Sequence, residues 1–202
     1  YEYDLENAAV SLLYQYAQKI RLQNPRNYNR HLHLPHIEYY LTNKDSLRDQ
    51  LAQHSGFDHK QIKRVLSALF QGAKLIANDR CSLFYDLDLN YQKTQLLKQH
   101  PILIELQKEI RQMWKILNKD IKERTQVERV KTKHKSQLYR ELEEQVMGVI
   151  WRKMGRDGVG YFREHDGWRS RAFVIPNEIE QAVRTELGYV IKIKWNKVGR
   201  LY

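Results

Sequence analysis

Three groups of residues in this chain carry side chains with chemical potential. The first is His165-Asp166-Gly167, set within the stretch GYFREHDGWRSRAFVI, Gly160–Ile175. The second is Asp4, near the end of Tyr1–Leu5, and the third is His59, Lys63 and Arg64 with Lys60 nearby. A carboxylate is a hard oxygen ligand of the kind Mg²⁺ prefers, and two carboxylates brought close repel unless cations neutralise them. Two Mg²⁺ held by two aspartates activate an attacking hydroxyl and stabilise a leaving pyrophosphate in an in-line displacement. A lysine on a neighbouring helix neutralises the charge of the triphosphate. If Asp4 and Asp166 stand on adjacent strand ends, the chemistry open to them is nucleotidyl transfer. Plainer readings stay open beside it: an Asp-Gly turn, an aspartate capping a helix, and a solvated basic helix face.

The elements that must position these residues follow from periodicity and turn residues. Tyr1–Leu5 reads as a short strand, and from Glu6 apolar residues recur at helical spacing up to Pro25. Two aromatic and β-branched runs flank His165-Asp166-Gly167, and Gly167 suits a tight reversal at φ > 0. Pro176 and Asn177 then open a helix over Glu178–Leu187, Gly188 closes it, and Tyr189–Trp195 reads as another strand. Asp58 is placed as the N-cap of the helix HKQIKRVLSALFQGAKL, with Ile62, Val65, Leu66 and Leu69 on its packing side. Gly72, late in that helix, predicts a helix break or a close approach to the backbone. Residues 24–40 read as irregular, 45–54 as a short helix, 79–91 as loop, 101–133 as one long charged helix and 136–154 as a second. His31, His33 and His36 make a weak zinc pattern without nearby cysteine, and read better as a loop resting on nucleic acid or a neighbouring lobe.

Composition narrows the classes. A chain of 202 residues with 42% hydrophobic content buries one good core, or one core plus a smaller lobe. No apolar run approaches the ~20 residues that span a bilayer, and the opening YEYDLEN lacks the basic start of a signal peptide. No membrane is therefore expected. A single cysteine, Cys81, excludes a disulfide framework and a thiolate metal cluster, and implies an intracellular setting. The net charge of +11, with thirteen Tyr and four Trp among the basic residues, points to a polyanionic partner, nucleic acid before membrane.

With those residues in order, the chain resembles the single-subunit, phage-type RNA polymerases and their relatives, the family A DNA polymerases. The superfamily's first motif places an aspartate at the end of a palm strand, matched here by Asp4. Its second is a fingers helix, R-x-x-x-K-x-x-x-x-x-x-x-Y-G, matched by His59-x-x-x-Lys63-Arg64-…-Gln71-Gly72. Its third is an H-D dipeptide at a hairpin turn, matched by His165-Asp166, and SQLYRELEEQVMGVIW before it is similar to the family's segment there. Two positions depart from the pattern: His59 replaces Arg, with Lys60 as partial substitute, and Gln71 replaces a Tyr linked to sugar selection. Ala9, five residues after Asp4, stands where the DNA polymerases carry Glu and the RNA polymerases a small residue, which favours ribonucleotides.

The resemblance implies two Mg²⁺ bound by Asp4 and Asp166, with the Leu5 carbonyl a third ligand. It implies that Lys63 meets the incoming nucleoside triphosphate, helped by His59, Lys60 and Arg64. Gln71 and Gly72 would border the base-pair pocket, and His165 would support the primer or transcript end. The span 115–135 would hold the duplex of DNA template and RNA product. The expected fold is α+β, mostly helical, with a small antiparallel palm sheet carrying both aspartates and helical fingers inserted. Residues 1–25 and 136–202 would form the palm, and 26–135 the fingers and long basic helix. Because the sequence opens almost at the first motif, a missing N-terminal domain or a second subunit is also expected. The rival readings are a DNA polymerase or primer-making enzyme on the same palm, and a non-catalytic basic nucleic-acid-binding subunit.

Overall fold

The computed structural model describes residues 1–23, 32–78, 81–163 and 167–198. In chain order the elements are β1 (Glu2–Leu5), α1 (Ala8–Gln23), α2 (Pro35–Ser55), α3 (His59–Phe70), α4 (Ser82–Tyr85), α5 (Tyr91–Gln99), α6 (Pro101–Thr125), α7 (Thr132–Arg156), β2 (Tyr161–Arg163), β3 (Gly167–Ser170), α8 (Pro176–Leu187) and β4 (Ile193–Asn196). Helix accounts for 67% and the strands form one small antiparallel sheet, an α+β chain. Among the described residues no helix is long and apolar enough to cross a membrane. The chain divides into two compact units, Tyr1–Gln15 with Gln137–Tyr202, and Tyr16–Ser136.

In the first unit the strands lie in the order β2-β3-β1-β4. Alternation along β1 buries Tyr3 and Leu5 and leaves Asp4 exposed, as a strand with one solvated face requires. Tyr3 stacks on Trp168 of β3, centroids 4.9 Å apart, and its hydroxyl accepts from the Val174 amide at 2.7 Å. Trp168 in turn meets the edge of Trp151 on α7, which stacks on Tyr161 of β2. Each such ring pair contributes about 0.5–1.5 kcal/mol beyond its area burial. Helix α8 ties to β4 through Glu180, whose carboxylate accepts from the Ile193 amide at 2.8 Å. It ends on Gly188 in the left-handed region, φ 65°.

The second unit is helical, and several of its boundaries differ from the sequence expectation. Residues 35–40 are helical rather than irregular: Pro35 presets φ for a first turn, and the buried Glu109 of α6 accepts from the amides of His36 and Ile37, both at 2.9 Å. The cap comes from a distant helix, which local sequence does not reveal. Helix α2 kinks at Asn43, φ −128°, where the Asn43 side chain donates to the Tyr39 carbonyl. Helix α3 starts on a reciprocal capping box between Asp58 and Gln61 and ends at Phe70, short of the expected Leu75. Gly72, φ 86°, donates to the Leu69 carbonyl and Ala73 to the Ala68 carbonyl, a Schellman stop. The single helix expected over 101–133 is broken after Thr125, where Gln126 turns left-handed, φ 53°, and α7 begins at Thr132. The β-branched Thr125, Val127, Val130 and Thr132 lower helix propensity across this break. The expected loop at 79–91 contains α4, and α5 was not foreseen.

Two stability effects follow. Glu109→Ala strips the acceptor from the buried Ile37 amide and the part-buried His36 amide and should lower stability by about 2–3 kcal/mol, seen as a lower urea midpoint at unchanged slope. The His100 ring meets His54 edge-on, centroids 4.9 Å apart; burial, reinforced by the charge of His54, holds the His100 imidazole below its ordinary value. The unfolded chain therefore takes up this proton first. Stability should be complete above about pH 6.5, the unperturbed histidine value, and fall as pH drops below it. The urea midpoint followed from pH 7.5 to 5.5 should show this slope, flattened in His100→Gln.

Candidate active site

β1 occupies an inner position in the sheet, so Asp4 is flanked on both sides. Its partners across the ladders are Gly167 on β3 and Lys194 on β4. Residues opposite one another share a face, so Asp4 lies on the solvated face with Glu2, Arg169, Lys194 and Phe162. Arg169 pairs with Glu2 at 3.2 Å and Lys194 with Glu6 at 3.4 Å, while Phe162 stands 68% exposed. The first strand and the late hairpin strand are thus neighbours, joined in register at the position of the first aspartate. His165 and Asp166 lie outside the described residues.

Gly167 has a different role from the one its sequence context predicts. It is the first residue of β3 and does not belong to the positive-φ glycines, so a left-handed turn is not what demands it. A Cβ at Gly167 would overlap the Tyr3 carbonyl oxygen and lie 3.3 Å from Asp4 Cα. Only glycine lets the two backbones come this close.

The second unit carries the predicted cationic helix face. Lys60, Lys63, Arg64, Ser67 and Gln71 of α3 and its cap line a shallow depression of about 490 Å³ together with Asp86. They follow one another at helical spacing, while Ile62, Val65, Leu66, Leu69 and Phe70 are buried on the opposite side. Among the described residues no ion pair engages Lys60, Lys63 or Arg64. Three cations face one carboxylate there, Asp86. His59 does not line the depression; its Nε2 lies 3.5 Å from the Asp49 carboxylate. Gly72 falls just past the helix as its stop, and Ala9 sits half-buried in the first turn of α1, in the same unit as Asp4.

The sequence placed Asp4 near the end of a strand, and put His59 with Lys63 and Arg64 on one face with Lys60 nearby, whereas Lys60 lines the depression and His59 does not. Sequence reasoning missed Arg169, Lys194 and Phe162, which reach Asp4's surroundings only through strand register. His36, expected in a loop, donates its amide to Glu109, and its Nδ1 lies 2.7 Å from the same carboxylate. Among the described residues no group of three His, Cys, Asp or Glu side chains converges as a metal cluster would. No protein-family model, curated protein or solved structure matches the chain.

Gly167→Ala should lower the melting temperature by about 5 °C or more, since a methyl forced against backbone costs about 1–3 kcal/mol. It should also weaken the near-ultraviolet circular dichroism of the Tyr3–Trp168 stack. Gly160→Ala meets open space and should leave both signals unchanged.

Proposed function

We propose that this chain is a template-directed nucleotidyl transferase, the palm and fingers portion of a DNA-dependent RNA polymerase of phage type. The observation that carries the reading is the β1–β3 ladder, with Asp4 opposite Gly167, the residue that follows Asp166 in sequence. Two aspartates on the first strand and the late hairpin can share cations only where those strands are neighbours, and any other topology would remove the site.

Asp4, the Leu5 carbonyl and Asp166 are all oxygen donors, the set that hard divalent cations take. Two Mg²⁺ held there would supply Lewis-acid activation of the attacking hydroxyl and charge neutralisation on the leaving pyrophosphate. The chain's own residues do the remainder. Lys63 meets the triphosphate, Lys60 and Arg64 add charge along the same helix face, and Gln71 borders the base pair. His165 supports the transcript end, and Ala9 leaves room for a ribose 2′-OH.

The second reading is a non-catalytic nucleic-acid-binding unit. It draws on His59 turning to Asp49 and on Gly72 being accounted for as a helix stop. Primer-extension with purified protein, template, Mg²⁺ and either rNTPs or dNTPs separates the two. Asp4→Asn and Asp166→Asn should each reduce incorporation by about 10³-fold or more with template binding retained, and Lys63→Gln by about 10²-fold. Incorporation of rNTPs should exceed that of dNTPs. Synthesis unaffected by either aspartate substitution would leave the binding unit as the answer.

A further inference from the structure

Four cations of the second unit converge on a cavity that the proposed reaction does not use. It has a volume of about 620 Å³ and opens among the segment after α3, the middle of α6 and the start of α7. Lys74, Arg111, Lys115 and Lys135 line it, and no Asp or Glu does. Beyond the cations the wall mixes Leu75, Ile76, Ile110 and Trp114 with Gln107 and Asn118, and Ile76, 47% exposed, is its open apolar side chain. Trp114 is locked in place, its indole N–H donating to the Phe70 carbonyl at 2.9 Å. Lys135 Nζ sits 4.6 Å from the centre of that ring and donates to the Gly72 carbonyl at 3.4 Å. Burial, with the charge of Lys74 adding to it, holds the Lys135 ammonium below the ordinary lysine range.

The charge continues along α6. A second cavity of about 430 Å³ shares Lys115 and Asn118 with the first and adds Lys119, Lys122 and Arg129, against one carboxylate, Glu128. Arg111, Lys115, Lys119 and Lys122 recur on one helix face over about 16 Å. That length matches about four or five phosphates at the ~3.4 Å repeat of a stacked strand. Among the described residues no ion pair engages Lys74, Arg111, Lys115 or Lys122. Lys119 pairs with Glu123 at 3.8 Å, but the row keeps more cations than carboxylates, and a polyanion relieves the remaining repulsion.

We propose that this cavity and the α6 track bind single-stranded nucleic acid, with a base against the Leu75–Ile76 wall and successive phosphates on the cations. The apolar wall decides between strand and duplex. A duplex keeps its bases stacked inside and presents phosphates alone, whereas a single strand offers base faces to apolar surface and phosphates to the rim. This replaces the duplex contact that the basic span 115–135 implied. It stands on charge and cavity geometry and does not depend on nucleotidyl transfer.

The test is fluorescence anisotropy with a labelled oligo-dT strand, and with a duplex of equal length, without nucleotides or Mg²⁺. Failure here is thereby separate from failure of catalysis. The wild-type chain should bind the strand about tenfold or more tighter than the duplex. The variant Lys74→Gln/Arg111→Gln/Lys115→Gln should lose about 30-fold in strand affinity. Its slope of log K against log salt should flatten by about 2, three contacts at ~0.7 each. Ile76→Asp, a change at an exposed position, should weaken the strand more than the duplex. Lys44→Gln/Lys98→Gln, on α2 and α5 and lining neither cavity, should stay within about twofold of wild type. Equal or tighter duplex binding overturns the proposal, as does a triple variant no weaker than the off-track control.

Discussion

The first unit depends on one short antiparallel strand. β1 stands between β3 and β4, so without its backbone groups the hairpin strand and the final strand would each face an unfilled edge. Four residues suffice because the contact is dense. Gly167 brings the β3 backbone against Tyr3, and the Tyr3 ring lies flat on Trp168 while its hydroxyl accepts from the Val174 amide. The partners lie at opposite ends of the chain, but loop-closure entropy grows only logarithmically, by about 0.6 kcal/mol per doubling of length. A non-local sheet is thermodynamically affordable and is expected to form late in folding.

The second unit solves a different problem, the unsatisfied ends of its helices. Two solutions are local: the capping box of Asp58 with Gln61, and the glycine stop at Gly72. The third is not. Glu109, buried midway along α6, satisfies the first amides of α2, so the start of that helix depends on a packing partner. A charged side chain buried this deeply is tolerated because backbone donors and the helix dipole surround it.

The surplus of positive charge has an address in this unit. One set of cations lies along α3 over a shallow depression, and another gathers where the end of α3, the face of α6 and the first turn of α7 meet. The α3 set reads directly from helical spacing. The other set does not, because Lys74, Arg111 and Lys135 are far apart in the chain and only packing makes them neighbours. The break after Thr125 matters here: a helix running straight through residue 133 would have carried Lys135 onward along its own axis, away from Gly72 and Trp114.

What the sequence determined by itself was whatever depends on near neighbours. Tyr1–Leu5 read as a strand with Asp4 near its end; Asp58 opened α3; Pro176 and Gly188 bounded α8; and helical spacing put Lys63 and Arg64 on one face. These are short-range effects of dihedral preference and hydrogen-bond reach, so a window of ten residues holds the needed information. Tertiary structure alone decided why position 167 must be glycine, which carboxylate caps α2, and where Lys135 comes to rest. Each of these requires two distant backbones or side chains to occupy adjacent space, and no local pattern encodes a distance between residues the chain has yet to bring together.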